Sequence, residues 1–84
     1  MNGLSSSCGA TFVYGVDLPG GYLPEDLESA KKALNRKADE LPNYSVIAAD
    51  VPEGFDVIEN GRFLVIRDVM TGIARVQIRI REDK

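Results

Sequence analysis

The side chains that most often carry out catalysis are scarce in this chain of 84 residues. It contains one cysteine, Cys8, and no histidine. Cys8 stands among serine and glycine residues with no evident base to activate its thiol, so a nucleophilic mechanism lacks its usual parts. The same counts exclude an internal disulfide and the usual zinc sites. We therefore expect a non-enzymatic protein that needs no cofactor and resides in the reducing cytoplasm.

Carboxylates are the remaining candidates for acid–base chemistry. Asp17 is the best placed of them, because it stands just before the turn sequence Pro19-Gly20-Gly21. An aspartate that caps a turn is far commoner than a catalytic one. The paired glycines lack the Lys-Ser/Thr of a phosphate-binding loop and do not form GxGxxG. This segment predicts a turn rather than a nucleotide site.

Positive charge is concentrated toward the C-terminus. Residues 62–81 carry five arginines and one aspartate, net +4, whereas residues 1–61 carry ten acids and four bases, net −6. A basic sheet that also presents Phe63 could stack nucleic-acid bases. However, the whole chain has a net charge of −3 and lacks the RNP consensus. Nucleic-acid binding is therefore the alternative hypothesis and not the first one.

Periodic spacing predicts the first strand and the helix. From Thr11 to Leu18 apolar residues recur with a period of two, which predicts a strand. Residues 1–10 before it are expected to form a flexible tail. This tail does not resemble a secretory signal. Pro24 suits the first position of a helix, and Pro42 stops it. Between the two prolines the apolar residues form one stripe, consisting of Leu27, Ala30, Leu34, Ala38 and Leu41.

Turn signals then set the pairing of the later strands. A three-residue turn at residues 52–54 joins a strand over residues 44–51 to the next strand. Asn60-Gly61 between two alternating runs is the signature of a two-residue type I′ hairpin, in which Glu59 faces Arg62.

The last turn, at residues 70–72, suits a glycine bulge that pairs Val69 with Ile73. The order of elements is then β-α-β-β-β-β. We expect an α+β fold with a single helix packed on one face of a mainly antiparallel four- to five-stranded sheet, in one domain over residues 11–84. The last four strands form a meander, and the first strand lies parallel to a neighbour or at the edge.

This register sorts the strand residues onto two faces. One face is wholly apolar and is expected to receive the helix. It carries Ile47, Ala49, Val51, Phe55, Val57, Leu64, Ile66, Val76, Ile78 and Ile80. The other face mixes apolar and basic side chains, a composition that protein interfaces favour. We predict that a partner binds there, through Ile58, Phe63, Val65, Arg67, Arg75, Gln77, Arg79 and Arg81.

The same register places Asp50 opposite Asp56, and like charges across a ladder need compensation. A divalent cation is one solution. A salt network with Arg67 and Arg75 is the one we favour, so no metal is expected.

We therefore expect a small module of the inhibitor, adaptor or regulatory-subunit type that binds another protein or itself, with a homodimer as one form. Nucleic acid is the alternative partner. A membrane is not expected, because the longest apolar runs are far shorter than the roughly 18–20 residues of a membrane span.

Overall fold

The computed structural model describes residues 9–83, so residues 1–8 of the predicted tail and Lys84 lie outside the described part of the chain. The predicted α+β class and the predicted order of elements are confirmed. The elements are β1 (Thr11–Leu18), α1 (Pro24–Ala38), β2 (Tyr44–Val46), β3 (Phe55–Asn60), β4 (Leu64–Asp68) and β5 (Ala74–Glu82).

The nine-residue strand β5 is the centre of the sheet. The strand order is β1-β5-β4-β3, and every pairing is antiparallel. The short β2 pairs with the end of β5 that β4 does not reach, from Tyr44 opposite Glu82 to Val46 opposite Ile80. The edge position of the first strand and the meander of β3, β4 and β5 are thus confirmed. A parallel first strand and a hairpin between the second and third strands are wrong.

The helix begins at Pro24 as predicted. A proline loses no hydrogen bond in the first turn, and the Asp26 carboxylate accepts a bond from the Leu23 N–H at 3.0 Å. Four residues of the predicted apolar stripe face the core from α1: Ala30, Leu34 and Ala38 are buried, and Leu27 packs against them. The helix ends at Ala38 and not at Pro42 as predicted, so Leu41 packs against the core from the turn that follows the helix. Burial of Leu34 alone stabilises the fold by roughly 1.5–3 kcal/mol. The helix packs on β1 and β5.

The predicted register between β4 and β5 is wrong by one residue. Asp68 N–H donates to Ile73 O at 2.9 Å, so the connecting loop has one residue more than predicted. The Asp68 carboxylate causes this, because it accepts bonds from the backbone N–H groups of Met70 and Thr71 at 2.8 and 3.3 Å. Gly72, at φ +77°, closes the loop.

That slip turns β4 over relative to β5. Val65 now lies opposite Val76 and faces the helix, and Phe63 is buried in the same core. Leu64 and Ile66, which were expected to face the helix, lie on the opposite side of the sheet. We call that side, which the helix does not cover, the open face.

The predicted type I′ turn at Asn60-Gly61 is also wrong. Asn60 pairs with Leu64, so three residues form the connection, and neither Asn60 nor Gly61 has the positive φ that a type I′ turn requires. The contact between Glu59 and the helix outweighs the preference of Asn-Gly for a type I′ turn. Glu59, expected to face Arg62, instead accepts two bonds from Lys31 Nζ at 2.8 and 2.9 Å.

The chain between β2 and β3 crosses the open face. Arg79 projects from this face, and its Nη1 donates to Ala48 O at 3.2 Å. We infer that residues 47–54 cover Leu64 and Ile66, which are both buried although the helix lies on the other side. This crossing segment replaces the outer half of the predicted second strand.

Candidate protein-binding surfaces

The structure separates the eight residues that the sequence predicted to bind a partner. Phe63 and Val65 are core residues, at 6% and 0% exposure, so the prediction that they form an exposed patch is wrong. The physical reason is the one-residue slip of β4. The other six side chains are in two groups that do not form one patch, and two of them, Gln77 and Arg79, are half-buried.

The first group lies at the end of the molecule where the β1–α1 turn approaches β3 and β4. Here a cleft of about 410 Å³ opens, which we call the terminal cleft. It exists because α1 starts only at Pro24 and packs on β1 and β5, which leaves the outer part of the sheet uncovered on this side. The cleft is lined by Gly20, Gly21, Tyr22, Asp56, Ile58, Arg67, Asp68, Val69 and Gly72. Two of the predicted site residues, Ile58 and Arg67, are among them.

The walls of the terminal cleft combine apolar and charged groups. Tyr22, Ile58 and Val69 supply apolar surface. Arg67 Nη2 lies 3.5 Å from Asp56 Oδ2, and both side chains are more than half exposed, so this ion pair contributes only about 0–1 kcal/mol to stability. A ligand could therefore separate the pair at little cost. The two aspartates and one arginine that line the cleft leave it with a formal charge of −1.

The loop between β4 and β5, which we call the hairpin tip (residues 69–73), exposes apolar side chains beside this cleft. Met70 is 89% exposed and Val69 is 59% exposed. Ile73 is also exposed, and it lines a second concavity of about 160 Å³ on the open face, together with Asp17, Phe55, Asp68, Thr71 and Arg75. The hairpin tip thus stands between two concavities. Contiguous exposed apolar surface rimmed by polar groups is typical of an interaction site.

The second group of predicted residues forms a row along β5 on the open face, made up of Arg75, Gln77, Arg79 and Arg81. The arginines of this row have acceptors within the chain. Arg75 Nε donates to Asp17 Oδ1 at 3.1 Å, and Arg81 Nη2 lies 3.5 Å from Asp83 Oδ1. The charges of Arg75 and Arg81 are therefore balanced locally, whereas Arg79 bonds to the Ala48 carbonyl and is in no ion pair within residues 9–83. The row does not form an uninterrupted basic surface.

The predicted opposition of Asp50 and Asp56 does not occur. Asp56 pairs with Arg67 on β4, and Asp50 lies in the crossing segment outside any strand. The salt network therefore has different members from those predicted, with Arg75 bound to Asp17. Within residues 9–83, no group of three or more His, Cys, Asp or Glu side chains is positioned to hold a metal ion.

The sequence reasoning missed Tyr22, Val69 and Met70, because it placed Met70 in a turn, paired Val69 with Ile73 at the end of a strand and gave Tyr22 no role. A signal was nevertheless present. Val69 and Met70 are large apolar residues directly before the turn residues Thr71 and Gly72, where no strand can bury them. Apolar residues at the tip of a hairpin therefore indicate a surface that is available to a partner.

Comparisons with protein families, curated proteins and solved structures find no match to this chain. None of the helices within residues 9–83 has the length and apolar character needed to cross a membrane. Cys8, the only thiol, lies outside the described residues. The geometry of the two concavities is therefore the basis for a functional hypothesis.

Proposed function

We propose that this protein is a non-enzymatic protein-binding module that docks a partner through the terminal cleft and the hairpin tip. The observation that carries the proposal is the exposure of Met70 and Val69 beside a cleft of about 410 Å³ that contains Ile58. Burying these three side chains against a partner would remove apolar surface from water, which is the main driving force of protein association.

The chemistry of the cleft favours one kind of partner segment. An apolar side chain fits between Tyr22, Ile58 and Val69, and the excess of one carboxylate favours a neighbouring basic residue. The exposed Asp56–Arg67 pair would reorganise to meet that residue. We therefore expect the partner to present an apolar residue flanked by lysine or arginine.

A selection from a random peptide display library tests this proposal directly, with the library as the probe. We expect enrichment of sequences with an apolar residue next to a basic one. A selected peptide should bind the unmodified protein and lose at least tenfold in affinity with Met70→Glu, because this change removes the apolar side chain of the hairpin tip and replaces it by a carboxylate that contact with the apolar residue of the peptide would remove from water. Circular dichroism should show the variant folded, since Met70 is 89% exposed.

Val13→Glu serves as the control, because Val13 is also largely exposed but lines neither concavity. It should leave peptide affinity unchanged. Selection of no peptide, or equal binding by the unmodified protein and Met70→Glu, would overturn the proposal.

Nucleic-acid binding has less support, because Arg67, Arg75 and Arg81 each lie beside a carboxylate and the chain has a net charge of −3. A labelled single-stranded oligonucleotide distinguishes the two functions. Binding that falls steeply with salt and is weakened by Arg75→Glu or Arg79→Glu would favour nucleic acid over the protein-binding proposal. No binding at low salt would eliminate the nucleic-acid alternative.

A further inference from the structure

The outer edge of the sheet at β1 has backbone groups that can accept another strand. β1 pairs on one side only, with β5. Glu82 N–H donates to Ala10 O at 2.8 Å, which places the hydrogen-bonding groups of the even-numbered residues of β1 toward β5. The N–H and C=O groups of Thr11, Val13, Gly15 and Asp17 therefore point away from the sheet. Within residues 9–83, none of these outward groups has a backbone hydrogen-bond partner.

The two edges of the sheet differ in how they oppose further pairing. On the other edge, β3 has a bulge between Val57 and Glu59, and the Glu59 carboxylate forms an ion pair with the Lys31 ammonium group at 2.8 Å. Bulges and charges are the usual protection of an exposed edge. β1 has no bulge, because its eight residues pair with β5 without a register shift, and it contains no proline and no lysine. Its one charge, Asp17, is paired with Arg75.

We propose that β1 pairs antiparallel with β1 of a second copy of this chain, so that the two sheets become continuous across a twofold axis at Tyr14. This inference goes beyond the proposed function and does not depend on it. The bonding geometry requires odd-numbered residues to face odd-numbered residues, and alignment about Tyr14 satisfies that condition over the whole strand.

The sequence of β1 is complementary to itself in this alignment. On the open face Val13 lies opposite Gly15 of the second copy, and a glycine leaves room for the largely exposed valine side chain. Thr11 lies opposite Asp17, so a hydroxyl donor meets a carboxylate. A parallel alignment in register would instead place Asp17 beside Asp17, which is unfavourable.

The helix side of the strand is complementary as well. Phe12 lies opposite Val16 of the second copy, and Tyr14 meets Tyr14 on the axis. Aromatic–β-branched and aromatic–aromatic pairs are among the cross-strand pairs that stabilise sheets. These side chains already pack against the core within one copy, so they are held in place before association.

Sedimentation equilibrium of the full chain tests the proposal, with Val13→Lys and Val57→Lys as a matched pair. Both valines are about half exposed, at 56% and 49%, and each lies on an edge strand, β1 or β3. We expect the unmodified protein to have twice the mass of one chain at micromolar concentrations. Val13→Lys should raise the dissociation constant at least tenfold, because an edge lysine opposes strand addition. Val57→Lys should leave the dimer intact.

A cross-link then tests the register. With Cys8→Ser, Tyr14→Cys should oxidise to a covalent dimer, because the two Cα atoms at the axis would be about 4.5 Å apart, within the range that a disulfide spans. Val57→Cys in the same background should form no covalent dimer under the same oxidising conditions, because β3 lies outside the proposed interface. A monomeric unmodified protein at every concentration, or dissociation by Val57→Lys and not by Val13→Lys, would overturn the proposal. A dimer without the Tyr14→Cys cross-link would refute the alignment about Tyr14.

Val13→Lys also separates this inference from the proposed function. A monomeric Val13→Lys protein that still binds a selected peptide supports both conclusions. Loss of peptide binding only in Met70→Glu, with no dimer in any variant, retains the proposed function and overturns the self-association.

Discussion

Two valines on neighbouring strands, Val65 on β4 and Val57 on β3, decide which register the sheet has. The sequence predicts Val57 on the helix face and Val65 outside, whereas the structure buries Val65 completely and leaves Val57 49% exposed. Replacing each by alanine removes the same two methyl groups, and the strand preference that valine loses is itself mainly a matter of packing and burial on the sheet. Any difference in the free energy of unfolding therefore reports burial.

The expected costs follow from that burial. For Val65→Ala, two methyl groups at about 0.8 kcal/mol each amount to about 1.6 kcal/mol, and the cavity left behind raises the cost to about 2–3 kcal/mol. For Val57→Ala, half of the transfer term is lost and no closed cavity forms, so the cost stays below about 1 kcal/mol. A domain of this size has roughly 4–13 kcal/mol of stability, so both variants should fold.

Urea unfolding followed by circular dichroism measures the difference. With a slope of about 1 kcal/mol per molar urea, the midpoint should fall by about 2–3 M for Val65→Ala and by less than about 1 M for Val57→Ala. An equal or larger shift for Val57→Ala would refute the register described here and restore the one predicted from the sequence. Unfolding at a concentration where the dimer is absent keeps self-association out of the comparison.

Two further substitution sets test the turns and the helix contact. Gly72→Ala should cost about 1–2 kcal/mol because Gly72 has a positive φ, whereas Gly61→Ala should change stability by less than about 0.5 kcal/mol; a comparable cost for Gly61→Ala would mean that a type I′ turn forms after all. For the Lys31–Glu59 pair, a double-mutant cycle with Lys31→Met and Glu59→Gln should give a coupling of about 0.5–1 kcal/mol that falls with salt, and zero coupling at low salt would show that the contact is absent in solution.

The elements that local signals define were predictable from the sequence. The alternation over Thr11–Leu18 gave the observed bounds of β1, and Pro24 marked the start of α1. Both depend on neighbours within a few residues. The buried stripe of the helix followed for the same reason, because its spacing fixes which residues share a face.

The pairing partners were harder to predict, because each depends on a single turn residue or on a distant strand. The Asp68 carboxylate, by bonding to two backbone N–H groups, lengthens one loop by one residue and turns β4 over. The position of β2 follows from the length of β5, since β4 covers only residues 74–77 and leaves the rest of that edge unpaired. A short strand at Tyr44–Val46 satisfies those backbone groups.

The prediction of the candidate site depended on the strand register in the same way. The register decides which face of the sheet each side chain occupies. Because the predicted register of β4 was wrong by one residue, Phe63 and Val65 lie in the core and not on the predicted partner surface. Ile58, on the edge strand β3, and Arg67, on the neighbouring strand β4, stayed at the surface because they lie at the end of the sheet that α1 does not reach. The pairing argument placed Val69 in a strand opposite Ile73, and it therefore did not recognise Val69 and Met70 as two apolar residues in one exposed loop.

The contrast between the two sheet edges joins these observations into one argument about association. β3 has a bulge and an ion pair, which oppose further strand pairing, whereas the eight residues of β1 have no bulge, no proline and no lysine, and their one charge, Asp17, is paired with Arg75. The hairpin tip likewise exposes Met70 where a polar residue would serve the turn equally well. The unprotected edge of β1 and the exposed Met70 both lower the solubility of the protein unless another chain covers them. They lie on different parts of the molecule. One surface therefore suits a second copy and the other a different partner, so that a dimer would present two terminal clefts.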